Sequence, residues 1–174
     1  TNPKSRKVKK IEEMNKWKKS ESWENGQKVE NSFAKLLGQR DPDFRAATKQ
    51  EQYKHIDYHS YFGTIDVKAK KRLNRLDSKG QDEFVWLEFK NIHGNVGWLC
   101  GDTDIIAFER NNDFILVSRS QLLNMAKTKC NLNKRVTYSK DALYKGYQRK
   151  GRKDLITIVK MKDILEIPHR VWEK

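Results

Sequence analysis

In residues 22–37 the apolar side chains Val29, Phe33, Leu36 and Leu37 fall at i, i+4, i+7 and i+8, one stripe of a helix, with Glu30 at its border. Ser22 reads as the N-cap, Glu24 places negative charge in the first turn, and Gly38 reads as the C-terminal stop. Asp41-Pro42-Asp43 then breaks the chain, and strand-like runs follow. Residues 53–62 are aromatic and β-favourable. Residues 64–71 alternate, with Ile65, Val67 and Ala69 on one side and Asp66, Lys68 and Lys70 on the other. Residues 72–81 are polar, contain Lys79-Gly80, and predict a hairpin connection. Residues 84–90 alternate again, setting Val85, Leu87 and Phe89 against Trp86, Glu88 and Lys90. Glycines 94, 97 and 101 mark a loop. Strands at 103–108 and 114–117 are joined by a turn at Asn111-Asn112-Asp113. Ser120 reads as the cap of a helix holding Leu122, Leu123 and Met125. Residues 155–159 predict one more strand, and 161–165 a helical turn before Pro168. This order implies a mixed α+β or α/β domain.

Charge changes the picture more than composition does. The 174 residues carry 37 Lys and Arg against 23 Asp and Glu, a net charge of +14, with 36% hydrophobic residues. That suits one domain with a modest core and a polyanionic partner, nucleic acid ahead of an anionic membrane. No apolar run is long enough to span a bilayer, and the basic N-terminus lacks the apolar core of a signal peptide. Cys100 and Cys130 form no disulfide framework or zinc-ligand spacing, which points to a reducing, intracellular setting. Residues 1–19 hold eight Lys and Arg, with Val8, Ile11, Met14 and Trp17 every third position. They read as a basic arm, either a short amphipathic helix or a solvated terminus. Past Lys127 the chain is basic again. Lys134, Arg135, Lys145, Arg149, Lys150, Arg152 and Lys153 are expected to contact nucleic-acid phosphates, and Tyr138, Tyr144 and Tyr147 to stack on bases or pack the region down.

Candidate chemistry lies in His55-Ile56-Asp57-Tyr58 and Gly63-Thr64-Ile65-Asp66-Val67-Lys68. Asp66 and Lys68, two apart on a strand, project from one face. A second carboxylate, Asp57, lies one turn upstream, and a third, Glu30, lies on the preceding helix. Carboxylate oxygens suit Mg²⁺, which takes a few of them and keeps several waters. A bound metal polarises a phosphate and acidifies a water, while a neighbouring lysine can orient or deprotonate that water.

The order helix Glu30, then Ile56-Asp57, then Ile65-Asp66-Val67-Lys68 resembles the PD-(D/E)xK nuclease superfamily. Later segments, Trp86-Leu87-Glu88-Phe89-Lys90 and Asp102-Thr103-Asp104, resemble some phage and bacterial members. The resemblance implies an α/β, restriction-endonuclease-like fold, a mixed central β-sheet flanked by helices. It further implies a Mg²⁺-dependent endodeoxyribonuclease in which Mn²⁺ substitutes, with a homing, restriction-like, junction-resolving or repair role. Carried over, Asp57, Asp66 and the Val67 carbonyl would hold metal directly, Glu30 would act through water, and Lys68 would handle the attacking water. Ile56 stands where the family name has proline, and the Asp57–Asp66 spacing is short. A second register takes Asp66 as first acid, with Glu88 and Lys90 supplying the ExK. The first is preferred because it accounts for Asp57, Asp66 and Lys68 together, with Glu88 expected near the same cleft. The implied organisation is a basic arm over residues 1–21, a nuclease core over 22–128, and a basic C-terminal extension over 129–174 packing on that core. DNA is the expected partner, with neither a membrane nor a small-molecule cofactor, and a homodimer would supply paired cuts. The alternative is a non-catalytic nucleic-acid-binding protein that uses only its basic surface.

Overall fold

The computed structural model describes residues 3–74, 77 and 79–174, with side chains of the first helix described from Ser22 onward. The described residues form a mixed α/β structure with two mixed sheets and four α-helices. The first helix, α1 (Pro3–Arg40), runs unbroken through Ser22. The predicted start at Ser22 is therefore corrected. The chain between Pro3 and Gly26 holds neither proline nor glycine, so nothing there stops the backbone once it is helical. Nor does Gly38 end the helix. It lies inside the last turn, where a Cβ would come 3.2 Å from the Phe44 ring. The end comes before Pro42, which disfavours helical geometry at Asp41. Asp41 is buried, and its carboxylate accepts from the Asp43 and Tyr61 amides at 3.1 and 2.9 Å, closing the turn.

The first sheet comprises β1 (Arg45–Ala46), β2 (Tyr58–Ser60), β3 (Gly63–Lys68), β5 (Ile105–Glu109), β6 (Asp113–Ser118) and β10 (His169–Glu173), in that spatial order. All neighbours are antiparallel except β3 and β5, which run parallel with Asp66 opposite Ile106 and Lys68 opposite Phe108. The second sheet has the order β4 (Phe84–Lys90), β9 (Leu155–Lys160), β8 (Lys145–Tyr147) and β7 (Asn131–Val136). The hairpin predicted over residues 72–81 is corrected here, because β3 and β4 belong to different sheets. β4 pairs with β9, and the parallel partner of β3 lies beyond β4 in sequence. Residues 75, 76 and 78 of that connection lie outside the described residues.

Strand alternation decides what covers each face of the first sheet. Ile65, Val67, Ala107, Phe114 and Leu116 meet Val29, Phe33 and Leu37 of α1. Phe33 is fully buried at the centre, stacked on Trp172 of β10 at 5.4 Å and edge-on to Phe114 at 5.2 Å. The opposite face, with Ile106, Phe108, Ile115 and Val117, packs on Leu87 and Val159 of the second sheet. Leu122 and Ala126 of α3 (Arg119–Lys129) and Ile164 of α4 (Met161–Ile164) complete that layer. Ser118 rather than Ser120 caps α3, accepting the Gln121 amide at 3.4 Å. Residues 129–174, expected to pack on the core as an extension, supply strands to both sheets.

Residues 53–62 hold less strand than their composition predicts. Thr48 and Glu51 form a capping box that starts the short helix α2 (Lys49–Tyr53), and β2 follows only from Tyr58. The signal was present in the sequence as Thr-x-x-Glu.

Candidate active site

Two backbone features place Asp57 beside Asp66. The Asp57 amide donates to the Ile65 carbonyl at 2.9 Å, which carries the β2–β3 pairing one residue past the end of β2. There the Asp57 carboxylate takes over from backbone, and its Oδ2 accepts the Val67 amide at 2.7 Å. Within a strand, the amide and carbonyl of one residue point toward the same neighbour. The Val67 carbonyl therefore faces the edge that Asp57 occupies.

Asp66 lies one position away on β3 and is only 3% exposed. Its Oδ2 has no well-directed hydrogen bond among the described residues, and Lys68 Nζ pairs with it at 3.0 Å. Burial pushes the Asp66 carboxyl up to about 7. Lys68 pulls it back down, and the Asp57 carboxylate adjoining it pushes it further up. Glu30, half-buried on α1, is likewise raised to about 7, first by burial and then by the charge of Asp57, with Lys68 opposing. Tyr58 ties this helix to β2, its hydroxyl donating to the Glu30 carbonyl at 3.1 Å. Its phenol is pushed up to about 12 by burial and by the charges of Glu30 and Asp57.

The four residues of the preferred register thus share one electrostatic environment, yet they reach it differently. Asp57, Asp66 and Lys68 adjoin one another at the end of β3. Glu30 arrives from the helix that covers the Ile65 and Val67 face, whereas Asp66 and Lys68 project from the other. Among the described residues, no three His, Cys, Asp or Glu side chains cluster closely enough to hold a metal between them. The acids divide into a close pair and an outlying third.

In the second register, Glu88 and Lys90 lie on β4 of the second sheet and Asp66 on β3 of the first. Lys90 is exposed at the far end of β4, opposite Leu155. Glu88 is half-buried and shares a cavity of about 470 Å³ with Lys68 and Trp98. Gly97 lets the loop before Trp98 run against Glu88, since a Cβ there would stand 2.5 Å from the Glu88 carbonyl oxygen. Trp98 is buried, edge-on to Phe108 at 6.1 Å, and Lys68 Nζ lies 5.0 Å from its ring centre.

Of the seven basic residues assigned to DNA, Lys134, Arg135, Lys150, Arg152 and Lys153 are exposed, and Lys145 is half-buried. Arg149 is held in place, with Nε and Nη2 lying 2.7 and 2.6 Å from Oδ2 of the buried Asp154. The tyrosines divide as well. Tyr138 is exposed. Tyr144 is structural: its hydroxyl donates to Asp163 and accepts the Lys160 amide. Tyr147 packs near Trp86 with ring centres 5.8 Å apart. Sequence patterning did not single out Trp86 or Asp154 as site residues. The only sequence sign of Asp154 is an acid in the basic run Lys150–Lys153, and Trp86 carries none beyond its strand.

No family model, curated protein or solved structure matches the chain. No helix among the described residues is long and apolar enough to cross a membrane.

Proposed function

We propose that the protein is a metal-dependent DNA endonuclease with a restriction-endonuclease-like core of the PD-(D/E)xK type. One observation carries the proposal: two carboxyls, Asp57 and Asp66, adjoin at a strand edge with Lys68 paired to the buried one. Burying a carboxylate beside another acid costs stability unless a cation balances it. Lys68 pairs with the buried Asp66 oxygen at 3.0 Å without a well-directed hydrogen bond, and the adjoining Asp57 carboxylate leaves negative charge in excess, so the residues fit a divalent cation. Mg²⁺ needs only one or two protein carboxylates, its other positions being filled by water and substrate phosphate. Asp57, Asp66 and the Val67 carbonyl would hold it, with Glu30 acting through a water. When bound, the ion supplies charge stabilisation at the phosphate and a more acidic water. Lys68 would hold the attacking water and give or take its proton, and Asp57 would fix the strand edge by keeping the Val67 amide. The exposed lysines and arginines would grip phosphates on either side of the cut, and the exposed Cys100 and buried Cys130, both free thiols, support an intracellular setting.

The deciding experiment is nicking of supercoiled plasmid with Mg²⁺ or Mn²⁺. Expected are cleavage by the wild type, none with chelator, and none from Asp66→Asn although that variant still binds DNA. Binding without cleavage on duplex, branched and single-stranded DNA alike would instead favour the non-catalytic binder, which the net charge of +14 alone would explain. Affinity should fall steeply with salt, by ~0.9 in log K per log[salt] for each phosphate neutralised.

Cleavage should also depend on pH. Glu30 and Asp66 are both raised to about 7, so both hold protons below neutrality and lose them as pH rises. Metal binding needs the deprotonated forms. The rate should therefore climb through pH 7 with a limiting slope near two protons on its acid side. Glu30→Gln removes one ionisation, and a log-rate profile should show that slope reduced to about one.

A further inference from the structure

We propose that the cleft between the end of β3 and the edge strand β4 holds one unpaired nucleobase next to Lys68, so that the preferred substrate is DNA carrying unpaired nucleotides. The inference rests on the nuclease reading and goes beyond it by naming the substrate structure.

Three features point to a base. The cleft is about 470 Å³, within the range that takes a small organic group. A B-form duplex, whose grooves alone are ~6–12 Å across, does not fit such a space, whereas one extruded nucleotide does. The walls are also suited to a base. Ile156 is the register partner of both Glu88 and Tyr147, so Glu88, Trp86 two residues away, and Tyr147 occupy one face of the second sheet. The half-buried rings of Trp86 and Tyr147 stand 5.8 Å apart, tilted by 40°, and both line the cleft. Aromatic faces accept any base by stacking, and the Glu88 carboxylate beside them can accept from an exocyclic amine.

The third feature is built-in charge. Arg149 lines the cleft and is held there by Asp154, which is 1% exposed and whose second oxygen has no partner among the described residues. Burying that acid to clamp one arginine costs desolvation that a plain surface arginine would not require. The clamp fixes a cation where the phosphate of an inserted nucleotide would lie. At the other end, Lys68 lines the same cleft and pairs with Asp66. A base held in the cleft therefore shares it with Lys68, the partner of Asp66, and extrusion costs least where the nucleotide is already unpaired.

The test measures binding of the full-length chain in chelator, where nothing is cut, by fluorescence anisotropy at fixed salt. The probes are a paired duplex, the same duplex with one bulged cytidine, a single strand of equal length, and free cytidine monophosphate. The bulged and single-stranded probes are expected to bind tenfold or more tighter than the paired duplex. Trp86→Ala should bring them down to the duplex level, and Trp86→Phe should restore most of the difference. Bulged DNA should also quench tryptophan emission in the wild type, and less so in Trp86→Phe. Equal affinity of the wild type for paired and unpaired DNA would overturn the inference, as would a preference that survives Trp86→Ala. Free nucleotide binding as tightly as bulged DNA would make the cleft a nucleotide site and overturn the assignment to a strand. No cleavage enters these readouts. A lost preference with metal-dependent nicking intact therefore sinks this inference alone, and a kept preference without nicking sinks the nuclease reading alone.

Discussion

Asp66→Asn is expected to make the protein more stable at pH 8 while abolishing metal-dependent cleavage. The folded state raises the Asp66 carboxyl from 3.8 to about 7, chiefly by burial. Between those values the folded chain holds the proton more tightly than the unfolded chain does. Stability from the neutral acid is complete below about 4 and is lost as pH rises through 7. A rise of that size corresponds to an upper limit of about 4 kcal/mol, and relaxation around the site reduces it to on the order of 2–4 kcal/mol. Asparagine has the same shape and no charge, so the variant should escape this loss. Urea midpoints should coincide near pH 4 and separate toward pH 8, with the variant the more stable. The reverse order at pH 8 would mean that Lys68, 3.0 Å away, already balances the carboxylate, and the physical case for a cation would fail. Added Mg²⁺ should close the gap from the wild-type side, stabilising by RT ln(1 + [Mg²⁺]/Kd), and should leave the variant unchanged.

Phe33→Ala should remove more stability than a change at any of the site residues. The ring is fully buried between α1 and the first sheet, in contact with Tyr58, Phe114 and Trp172. Truncating such a ring leaves a cavity and typically costs ~3–5 kcal/mol, a large share of the ~5–15 kcal/mol that holds a domain together. The effect should extend to the site. Glu30 lies one helical turn before Phe33, on the side of α1 that Tyr58 ties down through the Glu30 carbonyl. If Phe33 sets the position of α1, the variant, assayed well below its own melting temperature, should lose the Glu30 contribution and show the one-proton pH profile. Chemical denaturation measures the first effect and the pH–rate slope the second. A drop in urea midpoint equivalent to under ~1 kcal/mol, well short of a buried ring's usual worth, would show that α1 is held by something other than this aromatic cluster.

The candidate site was readable in the chain because its chemistry is local. Asp66-Val67-Lys68 declares itself through strand alternation, and Asp57 through its place just upstream of a strand that folds back on the next. Glu30 was visible at the edge of an apolar stripe, since the face a helix buries follows from residue spacing. The same rule located β3, β4, β5, β6 and β9. What escaped was marked by weak periodicity. β7 is mostly polar and exposed, β8 has only three residues, and β10 buries only Trp172. Nothing within a few residues of such strands records that they are strands, because their partners supply both the hydrogen bonds and the burial.

Periodicity along the chain thus determined which residues share a face, and it placed an acid and a lysine side by side. Which faces meet was decided only by the fold. Two consecutive alternating runs, at 64–71 and 84–90, could have paired as a hairpin and surrounded a single metal site with both motifs. The structure instead inserts β5 beside β3 and gives β4 to another sheet. Strand pairing is a choice among distant partners, made by total burial and by the path of the connections. A single run of sequence contains neither quantity. For the same reason Glu30 approaches the site from a different face than Asp66, and Trp86 and Arg149, far apart in the chain, line one cleft.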